Sequence, residues 1–285
     1  MIIWLASYPK SGNTFLRSLL LSYFFTKDGK FQSKDLKKIL QFPHKNLFKK
    51  LGFDTLNDVE MVKNYIKVQE KINLPDNKTI KFLKTHSSFY DISGHKFTDL
   101  NNTLGVIYIV RDPRSVVKSF ANHNQMSLEE ATNKILEFTT LTGEKHSLNM
   151  KEQIVTHMGS WSSNYNTWKE FKKLDRYLLI KYEDLVSETE KTFLQILNFI
   201  YKLGKSKLHI DSNKLKNAIK STTFSEMQKL EREQGFPEAI KDAEGKKITF
   251  FKYGLNKNDP NSLPEDLKVK IERKLKNEIE ELGYI

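Results

Sequence analysis

Hydrophobic positions near the amino terminus change abruptly from a short continuous run to a helical spacing. Residues 2–6 (IIWLA) are all apolar, a run too short to span a membrane but suited to a strand buried on both faces. A polar break over residues 7–14 follows, and apolar residues then recur at positions 15, 16, 19, 20, 23 and 24, as on one face of a helix. The pattern predicts a strand, a glycine-containing loop and a helix, in that order.

Later apolar segments predict strands that end at chemically useful side chains. Residues 79–86 alternate in polarity and end in Lys-Thr-His, residues 104–110 are apolar almost throughout, and residues 177–185 carry Tyr-Glu-Asp at 182–184. Strands that alternate with helices favour a parallel sheet, and ligands bind beyond the carboxyl ends of such strands. The sequence therefore predicts an α/β fold in which four side chains converge on one crevice: Lys10, His86, Arg111 and Tyr182.

The loop after the first strand has the chemistry of an anion site. Backbone N–H groups and the positive end of the following helix point at such a ligand. Lys10 adds a full charge, and Ser11, Asn13 and Thr14 add side-chain donors around Gly12. The alternative is an ordinary strand-to-helix turn with a solvated lysine.

A second candidate anion site follows the strand at 104–110. Asp112 is a good N-cap and Pro113 a good first helical residue, so a helix should begin there. Arg111, Ser115 and Ser119 then lie along one face, with the arginine fork beside a helix N-terminus. The alternatives are an arginine paired with a nearby acid and, for His86, a purely structural histidine.

The remaining chain is interpreted as one domain, residues 1–285. Residues 26–77 are lysine-rich with helical patches, clearest at 58–72, and predict a helical insertion beside the sheet. Residues 229–251 are charged and contain Gly235, Pro237 and Gly245, as in a mobile loop that closes over a ligand. Residues 264–282 predict an amphipathic helix.

Composition and charge indicate which kinds of partner and site are compatible with the chain. The net charge of +12 suits a polyanionic small molecule, a nucleic acid or an acidic membrane, and equally a solvated lysine-rich surface. Without any cysteine, the chain has no disulfide, thiolate zinc site or cysteine nucleophile. The sequence contains no basic segment interleaved with aromatic residues, so we expect no nucleic-acid partner. The first residues do not resemble a signal peptide, and the apolar window at 15–25 is interrupted by Arg17, so we expect a cytoplasmic protein without a membrane span.

The motifs resemble those of sulfotransferases that use 3′-phosphoadenosine 5′-phosphosulfate (PAPS). Residues 8–14 (YPKSGNT) resemble that family's 5′-phosphosulfate loop, with Asn13 where threonine is more common and Phe15 where tryptophan is. A Walker A loop differs, because its lysine follows the second glycine. Arg111 and Ser119 have the separation of the family's 3′-phosphate pair. The Tyr-Glu-Asp segment resembles the family's own, and the resemblance implies that Tyr182 lies near the adenine.

Two later segments extend the resemblance. Residues 222–227 resemble the segment whose aromatic ring stacks on adenine, so Thr222 and Phe224 are candidate cofactor residues. The family's Arg-Lys-Gly grip on the 3′-phosphate is replaced here by Lys252, Tyr253 and Gly254, which loses one cation.

The resemblance implies a P-loop-like three-layer fold with a central parallel sheet flanked by helices. It implies in-line transfer of a sulfuryl group from PAPS to an acceptor hydroxyl or amine, with 3′-phosphoadenosine 5′-phosphate (PAP) as product and no metal. His86 would be the general base, Lys10 would stabilise the leaving phosphate, and Ser119 would hold both the 3′-phosphate and the resting Lys10. Backbone N–H groups of residues 12–15 would bind the phosphosulfate. The acceptor would be a small molecule, carbohydrate or lipid headgroup, bound partly by residues 123–150; the oligomeric state stays open. The alternatives are a nucleotide kinase or other P-loop NTPase, and a non-catalytic nucleotide-binding protein.

Overall fold

The computed structural model describes residues 1–74, 79–138, 141–142, 156–240, 244–252 and 259–285. Its strands are β1 (Ile2–Ala6), β2 (Lys81–Thr85), β3 (Asp91–Ile92), β4 (His95–Lys96), β5 (Thr103–Val110), β6 (Leu141–Thr142), β7 (Thr156–His157) and β8 (Tyr177–Lys181). Its helices are α1 (Asn13–Phe25), α2 (Lys45–Lys50), α3 (Asp58–Lys63), α4 (Tyr65–Asn73), α5 (Pro113–Asn124), α6 (Leu128–Leu136), α7 (Trp161–Trp168), α8 (Tyr182–Ser187), α9 (Thr189–Leu203), α10 (Ser212–Ser221), α11 (Phe224–Gln234), α12 (Glu265–Lys274) and α13 (Lys276–Glu281).

A four-stranded parallel sheet forms the centre of the fold. Its spatial order is β2-β1-β5-β8, so β1 and β5 are the inner strands. Ala6 at the end of β1 pairs with Thr85 of β2 and Tyr108 of β5, and Val110 pairs with Lys181 of β8. All four strands therefore end at one edge, and the predicted central parallel sheet flanked by helices is confirmed.

The inner strand β1 alternates between two buried cores. Ile2, Trp4 and Ala6 face one core, where the Trp4 ring lies 5.2 Å from the ring of Phe97. Ile3 and Leu5 face the other core, against the apolar side of α1. Burial of each large side chain contributes about 1.5–3 kcal/mol, so both faces hold the strand in place. This explains why residues 2–6 are continuously apolar.

Helix α5 begins as the sequence predicts and is fixed to the carboxyl terminus. The Asp112 side chain accepts a hydrogen bond from the Arg114 backbone N–H at 2.9 Å, and Pro113 is the first helical residue. The Arg114 guanidinium donates to Glu272 at 2.6 Å and to the Tyr284 carbonyl at 2.9 Å. The start of α5, and with it Arg111, is held by contacts from distant parts of the chain.

Several helices differ from the predicted lengths. The segment 58–72 forms two helices, α3 and α4, that break at Asn64, whose amide donates to the Glu60 carbonyl at 2.8 Å. The segment 264–282 likewise breaks at Leu275. Helix α11 continues to Gln234 and ends before Gly235 (φ 74°), so the first part of the predicted loop 229–251 is helical. Across the part of the chain that the structure describes, no helix has the length and apolar character needed to cross a membrane.

Candidate functional site

The loop between β1 and α1 ends in a helix start that no side chain caps. Gly12 precedes the helix with φ 101°, and Lys10 also lies in the left-handed region with φ 66°. The first backbone bond of the helix runs from Leu16 N–H to the Gly12 carbonyl at 3.2 Å. The N–H groups of residues 13–15 therefore have no carbonyl one turn earlier to bind. Ser11 Oγ is buried beside them and has no hydrogen-bond partner among the described residues.

Two predicted donors of this loop are already engaged within the protein. The Asn13 amide donates to the Leu5 carbonyl at 2.8 Å and to Ser7 Oγ at 3.1 Å, so it braces the loop from beneath. Thr14 Oγ1 donates to Glu238 at 2.7 Å. Phe15 is half-buried against the α1 side of the sheet.

His86 follows β2 and contacts the loop. Its Nδ1 lies 2.8 Å from the Ser7 carbonyl, which can only accept, so Nδ1 carries the proton. Nε2 is then the free acceptor of the ring. Burial, with Lys84 nearby, lowers the pKa of His86 to about 3, so the imidazole is neutral near pH 7.

Lys10 lies at the mouth of the same loop. Its ammonium sits 4.1 Å from the centroid of the Phe250 ring and forms no hydrogen bond with Ser119 within the described part of the chain. Burial lowers the pKa of Lys10 to about 8; Lys84 and Arg111 lower it further, while Glu238 opposes them. About nine-tenths of such an amine is still charged at pH 7.

Gly12, Arg111 and Tyr182 form a stack beyond the carboxyl ends of β1, β5 and β8. The Arg111 guanidinium lies 4.3 Å from the centroid of the Tyr182 ring and donates to the Lys10 carbonyl at 3.3 Å. A Cβ at Gly12 would lie 2.3 Å from Cδ2 of Tyr182, so only glycine fits there. Nε and Nη2 of Arg111 are buried without a partner among the described residues. Two strong donors therefore remain available beside the loop.

Ser119 belongs to helix α5, and Lys252 contacts the same helix. Ser119 is half-buried two turns beyond Arg111. Lys252 donates to Asn122 Oδ1 at 2.8 Å, one turn past Ser119. The other two residues of the predicted 3′-phosphate grip, Tyr253 and Gly254, lie outside the described residues.

Thr222 and Phe224 lie where α10 meets α11. Thr222 is buried, and its hydroxyl donates to the Ala218 carbonyl at 2.7 Å, within its own helix. Phe224 is half-buried and packs edge-on against Phe251, with 6.2 Å between the ring centroids. Phe224 thus reaches the site through Phe251 and its neighbour Phe250, whereas the Thr222 hydroxyl is turned inward.

Sequence reasoning assigned no role to four polar residues that the structure places here: Arg17, Lys84, His123 and Glu238. Glu238 accepts hydrogen bonds from Thr14 and Arg17, and Lys84 Nζ lies 3.5 Å from its carboxylate. His123 lies 6.3 Å from the Phe250 ring, centroid to centroid. The sequence did contain a signal for Arg17, because a lone arginine on an apolar helix face requires an anion beside it.

The chain has no cysteine. Among the described residues, no group of three or more histidines and carboxylates could hold a metal ion. The site is instead a cationic one, built from the ends of all four central strands.

Comparison with known proteins places this site in a family. The chain matches the family described as "Sulfotransferase domain" over residues 2–283. It is 22% identical to luciferin sulfotransferase of Photinus pyralis, over 99% of this chain and 73% of that protein. It is 23% identical to amine sulfotransferase of Oryctolagus cuniculus, over 79% of this chain and 62% of that protein. A crystal structure of a mouse sulfotransferase complexed with PAP superposes with a TM-score of 0.58 at 17% identity, over 98% of this chain and 84% of that one, which shows a shared fold.

The family match covers almost the whole chain. The chain therefore belongs to the sulfotransferase domain family, and the prediction of a PAPS-dependent sulfotransferase is confirmed at the level of that family.

Proposed function

We propose that this protein transfers a sulfuryl group from PAPS to the hydroxyl or amine of a small-molecule acceptor, with His86 as general base and Lys10 at the leaving phosphate. The observation that carries the proposal is the meeting of the Lys10 loop, His86 and Arg111 at one sheet edge. Contacts of 2.8 Å from His86 to Ser7 and 3.3 Å from Arg111 to Lys10 join the three.

The unpaired donors of the site fit a ligand with two separate phosphate groups. Ser11 Oγ and the N–H groups of residues 13–15 form one set, at the positive end of α1. Nε and Nη2 of Arg111 form a second set, just before α5, the helix that carries Ser119 and is contacted by Lys252. Buried donors without partners are costly, so an anion that binds both sets would be stabilised by each. Tyr182, packed between Gly12 and Arg111, offers an aromatic edge next to both sets.

PAPS, when bound, supplies the sulfuryl group and leaves as PAP. The bond from sulfur to the bridging phosphate oxygen breaks as a bond from sulfur to the acceptor oxygen or nitrogen forms. Since Nδ1 of His86 is held by the Ser7 carbonyl, Nε2 is the atom that accepts the acceptor's proton. A pKa near 3 makes His86 a weak base, so we infer that proton transfer accompanies bond formation, when the acceptor has become acidic.

Lys10 acts on the opposite partner of the reaction. Its ammonium lies in the loop that would hold the 5′-phosphate, and it stays mostly charged at neutral pH. A cation in this place stabilises the charge that grows on the bridging oxygen as the phosphate leaves. Removal of such a contact typically lowers kcat by about a hundred- to a thousandfold.

The names of the two relatives favour a small acceptor, since one is a luciferin and the other an amine sulfotransferase. Part of the segment 123–150, from which we expect acceptor contacts, lies outside the described residues. The class of acceptor that we propose is therefore a small molecule with a hydroxyl or an amine, and a screen of such molecules would identify it.

The test is calorimetric titration with PAP, beside ATP with magnesium, for the natural protein and two arginine variants. Arg111→Ala removes the unpaired donors and should weaken PAP binding by about 10- to 100-fold, the value of a charge-assisted hydrogen bond. Arg176→Ala is the matched control, because Arg176 donates to the Thr103 carbonyl at the opposite edge of the sheet. Metal-independent PAP binding that is lost only in Arg111→Ala supports the proposal. A preference for ATP with magnesium would contradict it.

Catalytic roles need a second measurement. Transfer of labelled sulfate from PAPS to a mixture of phenols, alcohols and amines should fail in His86→Asn and Lys10→Met while PAP still binds to both variants. Sulfation at the natural rate in either variant would remove the role proposed for that residue.

A further inference from the structure

Glu238 lies among the cations of the proposed donor site. Its Oε2 accepts a hydrogen bond from Thr14 Oγ1 at 2.7 Å, its Oε1 accepts from Arg17 Nη1, and Lys84 Nζ is 3.5 Å from Oε1. Glu238 is 224 positions from Thr14 in the chain, so this contact is made by the fold and not by local sequence. Burial raises the pKa of Glu238, but Lys84 and Arg17 outweigh it, and the carboxylate stays ionised.

Arg17 depends on this carboxylate. Its side chain is 4% exposed, and Nη2 donates to the carbonyls of Leu36 and Ile39 at 2.9 and 2.7 Å. Within the described residues, the only acid that pairs with it is Glu238. A buried cation that loses its only anion is strongly destabilised. The first two turns of α1 therefore require an anion beside them, and Glu238 provides it.

The donor would compete with Glu238 for the same groups. Thr14 is one of the residues proposed to hold the 5′-phosphosulfate, yet its hydroxyl has one proton and already donates it to Glu238. Two anions placed against one helix start repel each other, and more strongly where they are shielded from water. The carboxylate and the 5′-phosphate would therefore compete for the cationic side of the loop.

The segment that carries Glu238 also covers Lys10. Phe236 packs on Phe250, with 4.9 Å between ring centroids, and Phe250 lies over the Lys10 ammonium. The backbone N–H of Phe250 is in turn bound by the Glu231 carboxylate at 2.6 Å. A single set of packed residues thus places a carboxylate on Thr14 and an aromatic ring on Lys10.

We propose that Glu238 is an internal anion that occupies the cationic side of the donor site, and that the 5′-phosphate of the donor must displace it to bind. The proposal rests on the proposed function, since it assumes that a 5′-phosphate binds at Thr14. It assigns Glu238 an autoinhibitory contact: the carboxylate stabilises the empty protein and lowers its apparent affinity for the donor. The ligand that releases it is an anion, exchanged for the carboxylate at the same helix start.

The experiment is calorimetric titration of the full chain with PAP, for the natural protein, Glu238→Gln and Glu233→Gln. The glutamine keeps the size of the side chain and removes its charge. Glu233 is the matched control, because it is an exposed carboxylate on α11, five positions away in the sequence. A contact that is closed in 90–99% of molecules lowers apparent affinity by about 10- to 100-fold, so Glu238→Gln should bind PAP more tightly by that factor. Glu233→Gln should bind as the natural protein does.

A second ligand tests whether the gain is specific to the displaced charge. Adenosine 3′-monophosphate lacks the 5′-phosphate, so Glu238→Gln should bind it no more tightly than the natural protein does. An equal gain for both nucleotides would overturn the proposal, and so would unchanged or weaker PAP binding by Glu238→Gln. Weaker binding would mean that Glu238 helps to hold the donor.

Two further observations separate this proposal from the proposed function. If the natural protein binds PAP and Glu238→Gln gains nothing, only the displacement fails; if no variant binds PAP, the donor site itself is wrong and the displacement falls with it. Should Glu238→Gln fold poorly, Glu238→Asp keeps the charge on a shorter arm and should show a smaller gain in the same direction. In chemical denaturation without ligand, Glu238→Gln should unfold more readily than Glu233→Gln, and PAP should remove that difference.

Discussion

Replacement of Gly12 by alanine is a direct test of the way the loop, Tyr182 and Arg111 fit together. Gly12 has φ 101°, and an added Cβ would lie 2.3 Å from Cδ2 and 2.9 Å from Cε2 of the Tyr182 ring. Real Cβ atoms do not approach a ring carbon so closely, so either the helix start or the ring must move. The ring is also in contact with Arg111, at 4.3 Å, so the shift is passed to the second group of donors.

Gly12→Ala should lower the free energy of unfolding for two reasons, and a second glycine of the chain allows us to separate them. A non-glycine residue in the left-handed region costs about 1–2 kcal/mol. Overpacking against a fixed ring adds about 1–3 kcal/mol. Gly52 provides the matched control, because it has φ 80° and a Cβ there would meet nothing within 4 Å. We expect Gly52→Ala to lose only the first part of the free energy of unfolding, and Gly12→Ala to lose about 2–5 kcal/mol.

The assay is urea denaturation of both variants, followed by PAP titration at a temperature where both are folded. Gly12→Ala should be less stable than Gly52→Ala and should bind PAP at least about tenfold more weakly, which corresponds to 1.4 kcal/mol. Equal stability of the two variants would show that Tyr182 does not press on the loop as described. Unchanged PAP affinity in Gly12→Ala would show that the donor does not use this helix start.

Two other predictions concern groups away from the loop. Burial, with Lys10 and Lys84 nearby, lowers the pKa of His123 from 6.5 to about 3. The unfolded chain therefore binds this proton at a higher pH than the folded chain does. Between about pH 6.5 and pH 3, the free energy of unfolding should fall by about 1.4 kcal/mol per pH unit because of this residue. Denaturation at several pH values should show a shallower fall in His123→Asn than in the natural protein, and an equal slope in both would contradict this. In the second, Arg114→Met leaves buried Asp112 without its cation and should lower the free energy of unfolding by about 3–5 kcal/mol. Lys191→Met removes an exposed pair and should leave the urea midpoint almost unchanged, so comparable midpoints for the two variants would contradict this.

Local patterns were sufficient to predict the central sheet, but not every strand end: the strand predicted over 177–185 ends at Lys181, and Tyr182–Ser187 form α8. The continuous apolar run at residues 2–6 and the segment 104–110 indicated strands buried on both faces, and they are the two inner strands. Asp112 and Pro113 marked the start of α5 correctly, because an N-cap and a first-turn proline act within a few residues. Where a helix break depends on packing, as at Asn64 and Leu275, periodicity alone could not place it.

The roles of the polar side chains were harder to predict. A residue type shows which hydrogen bonds a side chain can make, but the fold determines which of them it does make. Asn13 was expected to offer its amide to a ligand, yet that amide donates to the Leu5 carbonyl under the loop. The Thr222 hydroxyl is likewise used within its own helix. Main-chain N–H groups at the start of α1 carry no such ambiguity, since the helix geometry itself leaves them unpaired. The dependable part of the prediction was the part that the backbone determines.

The pairing of Arg17 with Glu238 follows from charge balance, and no sequence motif indicated it. Arg17 interrupts an otherwise apolar helix face, and burial of that cation requires an anion whatever its position in the sequence. The partner is Glu238, from a charged segment that has no motif and that was expected only to cover a ligand. In the empty protein this carboxylate satisfies the cations that the donor's 5′-phosphate would otherwise satisfy. A site built for a multiply charged nucleotide must be stable without it, and here an internal carboxylate meets that requirement while it also sets how readily the nucleotide enters.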